Sequence, residues 1–363
     1  MTDSFNERNL IKVRQICFIY LCLVPVNKLI MLPSYLSESV GELGWFSLFI
    51  SLAIDILLLW LILFIGEKKK LKTTYSLMEK SYGTITAKFF YMLFAIFFLA
   101  KAFFPILEQK VYVENTLYEI MPNDITFYPF FFVSVFVSLG GLKIFGRFAD
   151  ISIWFFASGM LLVFLLSIGS VDLSNLLPLF NKPLYSVINA SFRSLLWHMD
   201  SLYMVIMLGH FRPEPHYKKK IVLSYLSSSV IVLVFAIFFI GVFGPIAASQ
   251  DFSLAQMCIL SVTVTNIGRF DYIAVFILLF VQIFTIILPI FFSTKCLERT
   301  LGTKKALIPC LIVNAILAIG IMFFAAEPFG VLRITQDYLS YFYLAILVLM
   351  PVSLLFTKKE GTQ

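Results

Sequence analysis

Charge is what this sequence has least of. Only 13% of its 363 residues are charged, against 60% hydrophobic, and the mean hydropathy is +0.93. A soluble domain keeps about a quarter of its residues charged, so this composition excludes one soluble core and leaves a polytopic membrane protein. Histidine is almost as scarce, with His198, His210 and His216 the complete set. No H-E-x-x-H or nucleophile-elbow pattern occurs, so an enzyme is not expected. The glycines from Gly140 to Gly146 match neither a phosphate-binding loop nor a dinucleotide fingerprint, which excludes primary active transport by this chain alone. The five cysteines, Cys17, Cys22, Cys258, Cys296 and Cys310, make no even, spaced disulfide framework and no C-x-x-C knuckle. They read as small apolar fillers, and neither a metal nor a cofactor is expected.

What the sequence has in abundance is long apolar segments. About ten reach the twenty or so residues that cross roughly 30 Å of hydrocarbon. They run Arg14–Leu36, Leu43–Ile65, Lys88–Lys110, Ile125–Gly141, Ile151–Ile168, Ala190–Gly209, Ile221–Pro245, Phe270–Phe292, Lys305–Ala325 and Tyr338–Phe356. The first is long, interrupted and without a small-residue cleavage site, so it reads as a retained span and not a signal peptide. Placing the N-terminus in the cytoplasm puts 21 of the 28 Lys and Arg on that side, among them Lys68–Lys70, Lys218–Lys220 and Arg147. The positive-inside rule therefore assigns both termini to the cytoplasm. The net charge of +7 needs no nucleic-acid partner, because this asymmetry produces it.

The hydropathy also divides in two. Residues 14–168 and 190–356 form halves of five spans each within a single transmembrane domain, 1–363, and the halves would insert in opposite orientations. Each half opens on an interrupted span, at Pro25-Val26-Asn27-Lys28 and at Arg193 through Trp197-His198-Met199-Asp200. Each carries a short amphipathic stretch before its third span, Thr73–Ala87 and Ser253–Asn266. The predicted fold class is therefore all-α: a five-plus-five inverted repeat with broken first and sixth helices. Paired interruptions in corresponding positions point to a midplane binding site.

The charges within the spans sharpen that site. Lys28 lies about 21 Å beyond Arg14 and about 15 Å before Glu38 at 1.5 Å per residue, too deep to snorkel, and a charge there costs roughly 2.5–3.5 kcal/mol on insertion scales. Three cations, Lys28, Lys101 and Arg193, face three anions, Asp55, Glu108 and Asp200, which suggests internal pairing. For Lys28 two readings stand: a salt bridge to Asp55 or Asp200 that fastens the bundle, or a ligand contact. His198 is an interior histidine or a proton relay. Trp197 and Tyr203 are packing residues or the walls of a small pocket. Arg193 reads as neutralising an outer-side carboxylate.

Three short motifs then resemble one family. Gly141-Leu142-Lys143-Ile144-Phe145-Gly146-Arg147-Phe148-Ala149-Asp150 looks like the G-R-x-A-E signature of the spore germination permeases, the B subunits of nutrient germinant receptors. Arg269-Phe270-Asp271 stands where that family carries R-x-E, and Leu32-Pro33 ends the first span as it does there. Asp150 and Asp271 replace the usual glutamates, and Val26-Asn27-Lys28 replaces small residues that would expose backbone to ligand. The resemblance implies the amino acid-polyamine-organocation fold, A and C partner subunits, the spore inner membrane, and recognition of a small nutrient, commonly an amino acid.

The expected function is therefore a germinant-receptor membrane subunit that binds such a nutrient at Pro25, Asn27, Lys28, Trp197, His198, Asp200 and Tyr203, with Lys101 supporting. Asp55, Glu108 and Arg193, together with the pairs Arg147 with Asp150 and Arg269 with Asp271, would be structural or gating. Two alternatives share the fold: a secondary amino-acid permease working by alternating access, and a structural membrane subunit without a ligand site.

Overall fold

The computed structural model describes residues 10–116, 128–178, 182–265, 280–303, 305–324 and 328–357. The described chain is helical apart from two-residue strands and connecting turns. It begins with β1 (Ile11–Lys12), α1 (Val13–Leu29), α2 (Leu32–Val40) and α3 (Gly44–Lys68). The amphipathic α4 (Thr74–Tyr82) leads to α5 (Thr84–Thr116), α6 (Tyr128–Gly140) and α7 (Leu142–Ser167). The second half holds α8 (Leu184–Arg193), α9 (Tyr203–Met207), β2 (Phe211–Arg212) and α10 (Tyr217–Phe243). It closes with α11 (Ser253–Thr265), α12 (Ile283–Leu301), α13 (Leu307–Phe324) and α14 (Pro328–Leu355).

Six of the described segments are long and apolar enough to cross a membrane. Their outward faces carry large apolar side chains, such as Leu57, Trp60, Trp154, Leu165 and Phe323. In water such a surface would aggregate, whereas in a bilayer it is solvated. The polar residues go inward: Asn27, Lys28, Asp55, Lys101, Glu108, His198 and Asp200 are all buried. The chain is an integral membrane protein.

The interruptions differ in position and kind. Pro25 lies inside α1 and does not end it; the first break comes later, at Ile30 and Met31, before Pro33 restarts the chain as α2. Proline costs a helix one hydrogen bond, which neighbouring helices can make good within a bundle. The sixth span is broken more deeply. After α8 come a 3₁₀ turn over Ser194–Leu196, Met199 in the left-handed region (φ 68°), and a second 3₁₀ turn over Asp200–Leu202 before α9. A non-glycine residue in that conformation costs about 1–3 kcal/mol and persists only where its surroundings hold it.

Core packing places the broken spans centrally. α1 packs against α10, α7 and α12, while α5 lies along α12. At the end of the bundle that carries the N-terminus, β1 pairs with β2 in parallel, matching Ile11 with Phe211 and Lys12 with Arg212. This ties the start of the first span to the exit of the sixth. The β2 approach depends on Gly209, whose φ is +81° and whose added Cβ would lie 2.7 Å from the Thr73 amide nitrogen. Replacing Gly209 by valine is expected to lower the detergent-solubilised melting temperature, with a loss of about 1–3 kcal/mol from strain and overpacking; an unchanged melting curve would refute this role.

The Gly141–Asp150 signature lies in helix: α7 starts at Leu142, well before the predicted span start at Ile151. Arg269 and Asp271 lie outside the described residues, so their predicted pairing is not addressed.

Candidate functional site

The sixth-span break exposes backbone groups in the middle of the bundle, and side chains from three other spans satisfy them. Asn27 of α1 donates to the Trp197 carbonyl at 3.4 Å, and Lys101 of α5 donates to the His198 carbonyl at 2.7 Å. Asp55 of α3 accepts from the Met199 and Asp200 amides at 2.9 and 3.2 Å. The same carboxylate accepts the Ser201 hydroxyl at 2.6 Å and the Tyr225 hydroxyl at 2.6 Å. Unsatisfied backbone groups in hydrocarbon cost several kcal/mol each, so this capping is what permits the break.

Asp200 then collects the two buried ammoniums. One carboxylate oxygen pairs with Lys28 Nζ, the other lies 3.0 Å from Lys101 Nζ, and Lys28 also donates to the Val24 carbonyl at 3.2 Å. The Asp200 carboxylate therefore bridges the two ammoniums. Of the two partners expected for Lys28, Asp200 is the one it meets. Asp55 is turned to the backbone. Two carboxylates and two ammoniums with almost no solvent exposure thus meet at one break.

Trp197 and Tyr203 extend from this cluster toward opposite ends. The Trp197 indole donates to Glu108 at 2.6 Å, and its ring lies 5.1 Å from that of Tyr35 on α2. Ser34 on the same helix donates its hydroxyl to the Gln250 carbonyl, and its amide donates to Ser253 at 3.1 Å. These contacts close the bundle on the side away from the N-terminus. Tyr203 is wedged between Phe98 and Phe292, at 5.1 and 5.6 Å between ring centres. Beyond Phe292 and Ile206, toward the N-terminal end, opens a cavity of about 130 Å³ lined further by Tyr75, Tyr91, His210, Lys295 and Arg299. Arg299 lies over the Tyr75 ring at 5.5 Å, and partial burial raises the pKa of the Tyr75 phenol on the interfacial α4.

One predicted pairing changes. Asp150 does not pair with Arg147, which is exposed; its carboxylate meets Arg14 at 3.0 Å and accepts from Gln15 Nε2 at 3.0 Å. Asp150 is engaged by the first turn of α1 instead of by its neighbour one helical turn away. Gly146 belongs to the same contact, because a Cβ there would come within 2.9 Å of the Gln15 side chain. Arg193 is exposed. It lies in a surface groove with Asn189, Phe192, Tyr338 and Tyr341. Sequence reasoning missed Ser201, Tyr225, Tyr35 and Gln15; all are uncharged, and only the bend of the chain gives them a partner.

Removing one member of a buried ion pair costs about 3–5 kcal/mol because its partner is left uncompensated. Asp200→Asn would leave two ammoniums facing each other, whereas Lys28→Met would leave Asp200 with Lys101. Thermal unfolding in detergent is therefore expected to show a larger loss for Asp200→Asn than for Lys28→Met. Equal losses would refute the shared-carboxylate arrangement.

The fold recurs among solved secondary transporters. An Eremococcus coleocola manganese transporter superposes with a TM-score of 0.57 at 11% identity, covering 98% of this chain and 78% of that one. A Na⁺-coupled sialic acid symporter gives 0.59 at 12% identity, covering 93% and 78% respectively. Such identities speak to fold alone, and among the described residues no group of three or more His, Cys, Asp and Glu is placed to hold a metal. Sequence similarity is more specific. Spore germination protein A2 of Bacillus subtilis is 24% identical over 329 residues, 86% of this chain and 85% of that one. The model of the spore germination protein family matches residues 10–329, a stretch that takes in the broken spans, the central charge cluster and the α7 signature, and the chain belongs to that family.

Proposed function

We propose that this chain is the membrane subunit of a spore nutrient germinant receptor, and that it recognises a small polar nutrient at the facing breaks of its first and sixth spans. The observation that carries the reading is the concentration of ionisable groups there: charges at bilayer depth are costly to insert and mark a ligand or ion path by default. Here Asn27, Lys28, Asp55, Lys101, His198 and Asp200 are buried together where the chain also accepts a left-handed Met199.

Binding at such a point favours one arrangement of the two five-span repeats, 14–168 and 190–356, over another. Partner A and C subunits need only differential affinity for that arrangement to pass the change on. Both termini face the cytoplasm of the spore inner membrane in this reading, so the Arg14–Asp150 and Gln15–Asp150 contacts hold the inner end of the first span shut. The Tyr35–Trp197–Glu108 contacts do the same on the outer side. An amino acid is the nutrient class the family resemblance implies.

A second reading has its own supporting observation. The cavity beyond Phe292 and Ile206 lies between the central cluster and the cytoplasmic end, where a solute released inward would pass. Alternating access would make the chain a permease. Uptake of labelled amino acid by vesicles containing this chain alone would favour transport, and binding without uptake would favour the receptor.

Lys28→Met spores are expected to lose nutrient-triggered germination while membrane levels of the protein stay close to wild type. A normal germination response in that variant would overturn the assignment of the site.

A further inference from the structure

We infer that the nutrient recognised at the central break is an uncharged, hydrogen-bonding molecule such as a sugar or nucleoside, and not a zwitterionic amino acid, because the chain's own side chains already fill both charged subsites. This rests on the receptor reading above.

In transporters with discontinuous helices, an anionic group of the solute is held by helix N-termini and freed amides, while cations are held by unwound carbonyls. Here four such groups at the sixth-span break are taken. The Met199 and Asp200 amides, which would hold a ligand carboxylate, donate to Asp55. The Trp197 and His198 carbonyls, which would hold a ligand ammonium, accept from Asn27 and Lys101. Asp200 could serve the same ammonium, yet it already pairs with Lys28 and Lys101. Asp55 thus stands in for a bound carboxylate and Lys101 for a bound ammonium, each on a tether. The four charges balance, so a free zwitterion must displace two internal ion pairs to enter.

One polar side chain at the break is left over. His198 is 1% exposed, and neither ring nitrogen has a hydrogen-bond partner. Buried polar groups are hydrogen-bonded in the large majority of cases, so an orphaned imidazole in the middle of a satisfied network marks where a further molecule bonds. A neutral imidazole offers one N–H donor and one lone pair. That pairing suits a hydroxyl or an amide edge, which donates and accepts at one atom or at neighbouring atoms, and it adds no charge to a balanced cluster. Opening of the Tyr35–Trp197 contact admits the molecule, and closure buries it against His198.

The test is thermal unfolding of the full-length chain in detergent with D-glucose, uridine and the twenty protein amino acids, each at millimolar concentration. Glucose or uridine is expected to raise the melting temperature by about 2 °C or more, and the amino acids are expected not to. The stabilisation should disappear in His198→Phe. A second arm uses Lys101→Ala, which frees the His198 carbonyl and one Asp200 oxygen. That variant is expected to become stabilised by methylammonium, to which the wild type is indifferent. Should Lys101→Ala not fold, the wild-type arm decides alone. Stabilisation of the wild type by an amino acid would overturn this inference and leave the receptor reading standing. Stabilisation by no probe at all would overturn both, in favour of a structural subunit. A folded Lys101→Ala protein that ignores methylammonium would overturn the tethered-ammonium argument.

Discussion

The shared carboxylate of Asp200 is the contact on which the rest of this structure depends. It joins α1 through Lys28 and α5 through Lys101 to the middle of the sixth span, three segments distant in sequence. Without that neutralisation two ammoniums would sit close together in a medium that solvates neither. The neighbouring Asp55 performs the complementary task on the backbone, giving the Met199 and Asp200 amides an acceptor where helix geometry offers none. Charge and chain conformation therefore hold each other in place: the break positions Asp200, and Asp200 with Asp55 stabilises the break.

This coupling explains why the cluster is polar in a protein whose surface is apolar. In a bilayer, apolar contacts between helices gain little over contacts with lipid, so association relies on close packing and on polar bonds. The serine ladder between α3 and α8 follows the same logic nearer the closed side, with Ser47 and Ser191 bonded at 2.9 Å and Ser51 donating to the Ser191 carbonyl at 3.4 Å. Small hydroxyls allow the backbones to approach and supply the bond that holds them. The ladder fixes α8 against α3, while the broken stretch beyond it depends on charged caps.

Much of the architecture was legible in the sequence, because membrane length and hydropathy are coarse signals that survive every local detail. The stretch Thr73–Ala87 holds the amphipathic α4 and the start of α5, and Ser253–Asn266 matches α11 in extent, although the residues of α11 from Ser253 to Cys258 are almost all buried and not two-faced. The buried charges Lys28, Asp55, Lys101 and Asp200 were also visible, as charges at that depth stand out against an apolar background. What sequence could not supply was pairing. The chain alone left Asp55 and Asp200 as equal partners for Lys28, and only the path of the broken sixth span turns one toward the lysine and the other toward its own amides. The motif sets Arg147 and Asp150 one helical turn apart, a spacing that allows a pair, yet the start of α1 supplies competing partners and Asp150 binds Arg14 and Gln15. Proline was overweighted as a breaker: Pro25 is carried within α1, and the chain opens at Ile30 instead.

The α7 signature gains a physical meaning from that correction. Gly146 is needed because any side chain there would strike Gln15, and Asp150 is needed because it holds both Gln15 and Arg14. Gln15 in turn accepts the Lys12 amide at 3.1 Å, which caps the first turn of α1, and Lys12 lies in the strand that pairs with Arg212 beyond the sixth span. One chain of contacts therefore runs from α7 through the start of the first span to the exit of the sixth. Both broken spans are anchored at this end by the same motif, and both meet at Asp200 in the middle.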